Sequence, residues 1–366
     1  MAIRHPLHQI SRRLAPMLTS ASLLVGLHGS AAAYSTFYVF GDSLSDSGNV
    51  LAFTRQPNPI GALLPDLPAP PYFNGRFTNG HNFADVVNGG LFGQPLTPFL
   101  LGGTNYAVGG ATTGLGNAAV PTGGIVPPTG VLAQVGYYVT APGFTGADPE
   151  ALYLVYGGAN DLFSLLEAVR LNPLNADALG RSVIENATIS YALSLGVLAQ
   201  AGATNFLLPN LPDLGQTPRY FGTAQQGYAS LATQQLNAAF DRVVDAFEQR
   251  LLVAVTRLDV YELLNDALAE PADYGFTVLH TACYGGATLG ATPAAVCAHP
   301  EQHVFWDDIH PTAVAHRALG LAALQALVVP EPGTAVLYVA GLLALGGRFR
   351  LRRRSTLMAP PPAQGV

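Results

Sequence analysis

Hydrophobic and polar positions along the chain fall into two kinds of block. Short runs rich in β-branched and aromatic residues end in Gly or a polar turn, and longer stretches space their apolar residues for one helical face. The first run, Ser35-Thr36-Phe37-Tyr38-Val39-Phe40, is bounded by Gly41 and predicts a strand. Asn105-Tyr106-Ala107-Val108 predicts a second, short one. Leu152-Tyr153-Leu154-Val155-Tyr156 is continuously apolar and closed by Gly157-Gly158, so it predicts a central strand buried on both faces. A helix is expected over about 176–201, then a strand at Asn205-Phe206-Leu207-Leu208 and a long amphipathic helix over 228–250. A further strand within 251–260 leads into a helix over 261–268, and a last helix covers about 311–326. Buried strands alternating with helices predict an α/β layered fold. The Pro- and Gly-rich stretch from Gln56 to Gly80 predicts a long loop, a common carrier of function.

Both ends stand outside this alternation. Residues 1–33 place Arg4, Arg12 and Arg13 before an apolar run from Leu14 to Leu27 and then Ala31-Ala32-Ala33, the order of an export signal cut by signal peptidase. At the other end, residues 330–366 set Pro330-Glu331-Pro332 before an apolar stretch over 334–347 and the cluster Arg348, Arg350, Arg352, Arg353 and Arg354. That order resembles the PEP-CTERM sorting signal of Gram-negative bacteria. The resemblance implies cleavage at the Pro-Glu-Pro by an exosortase-like enzyme, transient membrane anchoring, and a final location in the periplasm, on the outer surface or in the extracellular matrix. A short tail anchor oriented by its arginines is the simpler alternative. Between the two ends, residues 34–329 form one expected domain, long enough for a single large core.

Removing the ends changes the charge. The chain has no lysine, and residues 34–329 hold nine arginines against 22 acidic residues, a net charge of −13. Such a surface repels phosphate backbones and argues against a nucleic-acid partner. With 49% hydrophobic and 11% charged residues, the chain is neither disordered nor a coiled coil. The only two cysteines, Cys283 and Cys297, lie close together in a chain read as exported, so a disulfide is the expected state.

Candidate chemistry begins where the first strand runs into Phe40-Gly41-Asp42-Ser43-Leu44-Ser45-Asp46-Ser47-Gly48-Asn49. Ser43 then stands at a strand's carboxyl end, where open α/β sheets hold ligands. A serine hydroxyl attacks poorly unaided and needs a histidine within hydrogen-bond reach, oriented in turn by a carboxylate. In Phe305-Trp306-Asp307-Asp308-Ile309-His310-Pro311-Thr312, Asp307 precedes His310 by three residues, which brings both side chains to one side of a turn. The attack creates an oxyanion that needs preorganised donors. Ser43 N–H, Gly110 N–H and the Asn160 side chain, just past the central strand, make a candidate set.

Each feature has a plainer reading. Gly41-Asp42-Ser43 is also a turn composition, Asp46, Asn49 and Asp161 suit bracing roles, and Asp308 suits a solvated one. His299 and His303 are four apart, a zinc-like spacing, but Pro300 opposes the helix such a site needs. The glycines at 102, 103, 109 and 110 fit no dinucleotide or Walker pattern, and no G-x-S-x-G occurs. No metal or organic cofactor is implied.

Four blocks in order, holding Ser43, Gly110, Asn160 and His310, resemble the GDSL, or SGNH, family of serine esterases and lipases. Asn74-Gly75-Arg76-Phe77-Thr78-Asn79-Gly80, Asn210-Leu211-Pro212-Asp213-Leu214-Gly215 and Tyr274-Gly275-Phe276 add to the likeness, which runs from about Phe37 to Ala323. The resemblance implies a three-layer α/β/α sandwich of the flavodoxin-like SGNH kind with a mostly parallel sheet. It also implies a Ser43-Asp307-His310 triad, an oxyanion hole completed by Gly110 and Asn160, and cofactor-free ester hydrolysis through an acyl-enzyme. Gly110 is preferred to Gly109 because the family's glycine tends to fall five residues after the block's Asn. Lipid, short-chain and acetylated-polysaccharide esters all remain open as substrates. Acyl transfer to another alcohol, or a surface-binding protein that has lost the chemistry, are further readings. The apolar, Pro-rich region from Leu63 to Phe73 is a candidate wall for an acyl site.

Overall fold

The structure, a computed structural model, describes residues 34–56, 65–119, 127–286 and 294–328. The expected export and sorting segments, 1–33 and 330–366, lie outside the described residues. Four strands, β1 (Phe37–Phe40), β2 (Leu152–Val155), β3 (Asn205–Pro209) and β4 (Ala254–Leu258), pair in parallel in the order β1-β2-β3-β4. All four residues of β2 are buried, as expected for a strand covered on both faces. At the open edge, β4 keeps Ala254 and Arg257 exposed.

The strand expected near Asn105 is reduced to isolated bridges rather than a full strand, Asn105 pairing in parallel with Val39 on one side and Pro98 on the other. Tyr106 N–H donates to Val39 O at 2.7 Å and Val108 N–H to Gly41 O at 3.1 Å, so the segment still runs parallel beside β1. On its other side Phe99 N–H donates to Asn105 O at 2.7 Å, and Asn49 Nδ2 donates to Asn105 O and Ala107 O at 2.7 and 2.8 Å. Counting this segment, strands lie in chain order 2-1-3-4-5, the flavodoxin-like doubly wound arrangement. Its topological switch point falls between β1 and β2, and the chain leaves those two strands at Gly41 and Tyr156.

The helices are α1 (Asn49–Arg55), α2 (Phe83–Phe92), α3 (Val131–Val139), α4 (Ala159–Leu171), α5 (Ala176–Ala201), α6 (Gln226–Arg250), α7 (Val260–Ala269), α8 (Pro271–Tyr274) and α9 (Ala313–Val328). Helices α3 to α6 pack on one another and α2 packs on α9, which gives the two helical layers of the sandwich. The α2–α9 approach relies on glycine, since a β-carbon at Gly90 would lie 2.4 Å from Leu324 and one at Gly320 would lie 2.6 Å from Val86.

Candidate active site

The turn after β1 is held by its own acids. Asp42 Oδ1 accepts Leu44 N–H at 3.0 Å, and Asp42 O accepts the N–H groups of Ser45 and Asp46. Asp46 accepts N–H bonds from Gly48, Asn49 and Val50, and a fourth from Gly109 at 3.0 Å. Gln134 grips Gly41 from α3, donating to its carbonyl and accepting its N–H, each at 2.8 Å. Burial pushes the Asp42 carboxyl up to about 6, against the Leu44 N–H and the His310 charge. Ser43 therefore stands on a rigid turn.

Because Gly109 N–H is committed to Asp46, Gly110 is the glycine left with a donor. Gly110 has φ of 81°, a conformation that favours glycine, and neither its N–H nor that of Ser43 finds an acceptor among the described residues. Asn160 sits in the first turn of α4 and donates one N–H to Ala111 O at 3.0 Å, which ties the end of β2 to the same loop. Its second N–H has no acceptor among the described residues. Asp161 braces that loop by accepting from Thr113 N–H and Oγ1–H, both at 2.9 Å.

His310 arrives from the far end of the chain. Asp307 Oδ1 accepts the N–H groups of Ile309 and His310 at 2.9 and 2.7 Å, closing a tight turn. That turn sets His310 Nδ1 2.7 Å from Asp307 Oδ2 and His310 Nε2 2.8 Å from Ser43 Oγ. Nδ1–H then donates to the carboxylate and Ser43 O–H to Nε2, one continuous hydrogen-bonded chain. Burial opposes ionisation of Asp307, but the His310 charge and the bonds from His310, Tyr72 and Ile309 prevail and hold its pKa at about 2. Asp308 is ion-paired with Arg219 at 2.7 Å rather than simply solvated.

The Asn74–Gly80 loop locks this segment in place. Thr78 Oγ1 donates to Pro311 O at 2.8 Å, and Asn79 Oδ1 accepts Ala313 N–H at 2.8 Å. Arg76 pairs with Asp85 of α2, and the Phe77 ring packs 5.4 Å from His310. Phe77 also fills the place of a Gly109 side chain, since a β-carbon there would lie 2.2 Å from its Cζ.

With that geometry in place, the comparison with known proteins is direct: the pattern of the family described as GDSL-like lipase/acylhydrolase matches residues 37–323. The chain belongs to this family, and with it to the ester-bond hydrolases. It is 31% identical to an uncharacterised protein from the trpE-trpG intergenic region of Pseudomonas putida, across 87% of this chain and 53% of that protein. The chain thus spans about half the length of that relative. It is 27% identical to a GDSL esterase/lipase of Arabidopsis thaliana over 83% of this chain and 91% of the relative. A phosphatidylcholine-sterol acyltransferase of Aeromonas hydrophila is 26% identical over 83% and 93%.

Beside Ser43 the GDSL fold carries a pocket that also touches Asn160 and His310. Apart from those residues, Asp42, Thr217, Tyr156 and Tyr274, its lining is apolar, with Leu44, Phe163, Leu263, Phe276, Ala318 and Leu319 among the walls. None of it comes from the described residues of the region 63–73, which are 65–73. The described part of that region instead supplies Tyr72, whose hydroxyl donates to Asp307 Oδ2 at 2.6 Å. Sequence reasoning missed both features, because the pocket is walled from α4, α7 and α9 and Tyr72 lies 235 residues from its partner.

Among the described residues, the other histidines have other partners. His299 faces Glu301 at 3.1 Å on the surface, whereas His303 is buried with its ring 3.1 Å from Thr281 O. Among the described residues no cluster of three His, Cys, Asp or Glu is placed to hold a metal. His316 is fully buried in α9, and burial pushes it down to about 3, so it stays neutral while Nδ1 accepts Phe83 N–H at 3.3 Å. Cys283 and Cys297 are joined as a disulfide, with Cα atoms 4.8 Å apart.

Proposed function

We propose that the protein is a carboxylic-ester hydrolase that works through an acyl-enzyme on Ser43. The observation that carries this reading is the Ser43–His310–Asp307 hydrogen-bonded chain, flanked by donors that find no acceptor among the described residues. His310 Nε2 takes the Ser43 proton as Oγ bonds to the ester carbonyl carbon. The carbonyl oxygen becomes an oxyanion facing Ser43 N–H, Gly110 N–H and Asn160 Nδ2. Asp307 keeps the proton of the imidazole on Nδ1 and stabilises the imidazolium. The C–O bond to the alcohol then breaks, with the alcohol taking the proton from His310. Water, deprotonated by the same nitrogen, attacks the acyl-enzyme and releases the acid and free Ser43.

The apolar pocket favours esters with a hydrocarbon acyl chain over acetyl groups on polysaccharide. Each methylene buried there adds about 0.8 kcal/mol, or roughly fourfold in kcat/KM, until the pocket is full. Across p-nitrophenyl esters from acetyl to palmitoyl, kcat/KM should rise to a maximum beyond butyryl, and Ala318→Trp should move that maximum to a shorter chain. A profile highest at acetyl would reject the lipid-like reading in favour of deacetylation.

Export is part of the same proposal, supported by the arginine–apolar–alanine order of residues 1–33 and the Pro330-Glu331-Pro332 pattern. Signal peptidase and an exosortase-like enzyme are the processing partners it implies. Secreted protein should have an intact mass lacking residues 1–33, and a mass that retains them would contradict export by this route.

A further inference from the structure

Ester hydrolysis gives Tyr72 no proton to carry, yet its side chain is built into the site. Its hydroxyl donates at 2.6 Å to Asp307 Oδ2, the oxygen that also accepts His310 Nδ1–H at 2.7 Å. The Asp307 turn fixes Oδ1 through its own N–H groups. Oδ2 is shared between the imidazole and a hydroxyl brought from a distant loop, so Tyr72 adds a hydrogen bond to a fully buried carboxylate.

Tyr72 is in turn placed by an aromatic cluster. Its ring stands edge-on to Tyr284 and Trp306, at 5.6 and 6.2 Å, and those two rings stack at 5.6 Å. Tyr284 follows Cys283, and Cys283 is bonded to Cys297. The described residues at the crosslink lie along the chain just ahead of Asp307. Cys283 N–H donates to Phe305 O at 3.1 Å, Tyr284 N–H to Trp306 O at 2.6 Å, and Cys297 N–H to Cys283 O at 2.8 Å. Cys283, Tyr284, Trp306 and Tyr72 are all buried together, with Cys297 packed against them.

We infer that Tyr72 is a positioning residue for Asp307, and that the Cys283–Cys297 crosslink acts on the reaction through Tyr72. The inference rests on the triad reading above. Without the Tyr72 bond, Oδ2 loses one of the hydrogen bonds that hold it toward Nδ1, and His310 is directed less firmly toward Ser43. Misplacement of this size costs about tenfold to a hundredfold in rate.

The test compares wild type, Tyr72→Phe, the Cys283→Ser/Cys297→Ser pair and the combination of all three on p-nitrophenyl butyrate. Each rate is expressed per active serine, counted with a fluorophosphonate, and Ser43→Ala is run alongside. Tyr72→Phe should lower kcat about tenfold or more while KM stays within about twofold. The cysteine pair should lower kcat by a smaller factor. The combination should be no slower than Tyr72→Phe alone, because both changes act along one route. A purely structural role would reduce the number of active serines and leave kcat per serine unchanged. If the cysteine pair does not fold, Tyr284→Leu removes the same edge contact and should show the same non-additivity.

Wild-type kcat per active serine in Tyr72→Phe overturns the positioning role. Effects that simply multiply overturn the route from the crosslink. Ester turnover by Ser43→Ala overturns the triad reading itself, whereas loss there beside an unchanged Tyr72→Phe overturns only this inference.

Discussion

Ser43→Ala should reduce kcat on any p-nitrophenyl ester by about 10⁴-fold or more, while the protein remains folded. The effect is large because the proposed acyl-enzyme forms on this hydroxyl, whose oxygen lies 2.8 Å from His310 Nε2. It should leave folding intact because the turn is held by Asp42, Asp46 and Gln134 rather than by the Ser43 side chain. Circular dichroism and the thermal midpoint check the fold, and the ester assay checks the rate. Equal turnover by both proteins would remove Ser43 from the mechanism.

Asp307→Asn should cost about 10⁴-fold as well, for a different reason. Its Oδ1 can still accept the N–H groups of Ile309 and His310, so the turn survives. In place of Oδ2 the variant presents an N–H donor to His310 Nδ1. The ring proton then moves to Nε2, which can no longer accept from Ser43. Asp308→Asn is the matched control, since Asp308 faces Arg219 and should change the rate little. The pair also has an acid signature. The folded Asp307 pKa of about 2 lies below the ordinary 3.8, so its contribution to stability is complete above the ordinary value and is lost as pH falls toward 2. Asp307→Asn should lack that part of the acid dependence. Retention of activity within about tenfold in Asp307→Asn would mean that another group orients His310.

The central sheet was legible because β1 and β2 are continuous runs of apolar and aromatic residues, and β2 is buried on both faces. Helix α5 starts and stops where its spacing predicts, at Ala176 and Ala201. Helices α1 to α4 were not legible, and each has a physical reason. Helix α1 is a single short segment following the Ser43 turn. Helix α2 contains Gly89-Gly90, poor for a helix but required where Leu324 of α9 comes close. Helix α3 carries Val131, Val135 and Val139, β-branched residues that favour a strand in isolation. Helix α4 begins inside the Gly158–Asp161 segment, where turn chemistry masks the helical start. At the site, Ser43 and the Asp307–His310 pair announce themselves locally, by strand-end position and by spacing. Tyr72 and the pocket walls belong to contacts across the whole chain, for which local sequence carries no signal.

The most direct test of the account is to react the purified protein with a fluorophosphonate and locate the adduct by peptide mass spectrometry. The account predicts one adduct per chain, on Ser43, formed in step with loss of esterase activity and absent from Ser43→Ala. An adduct on another residue, or full inactivation with Ser43 unmodified, would contradict it.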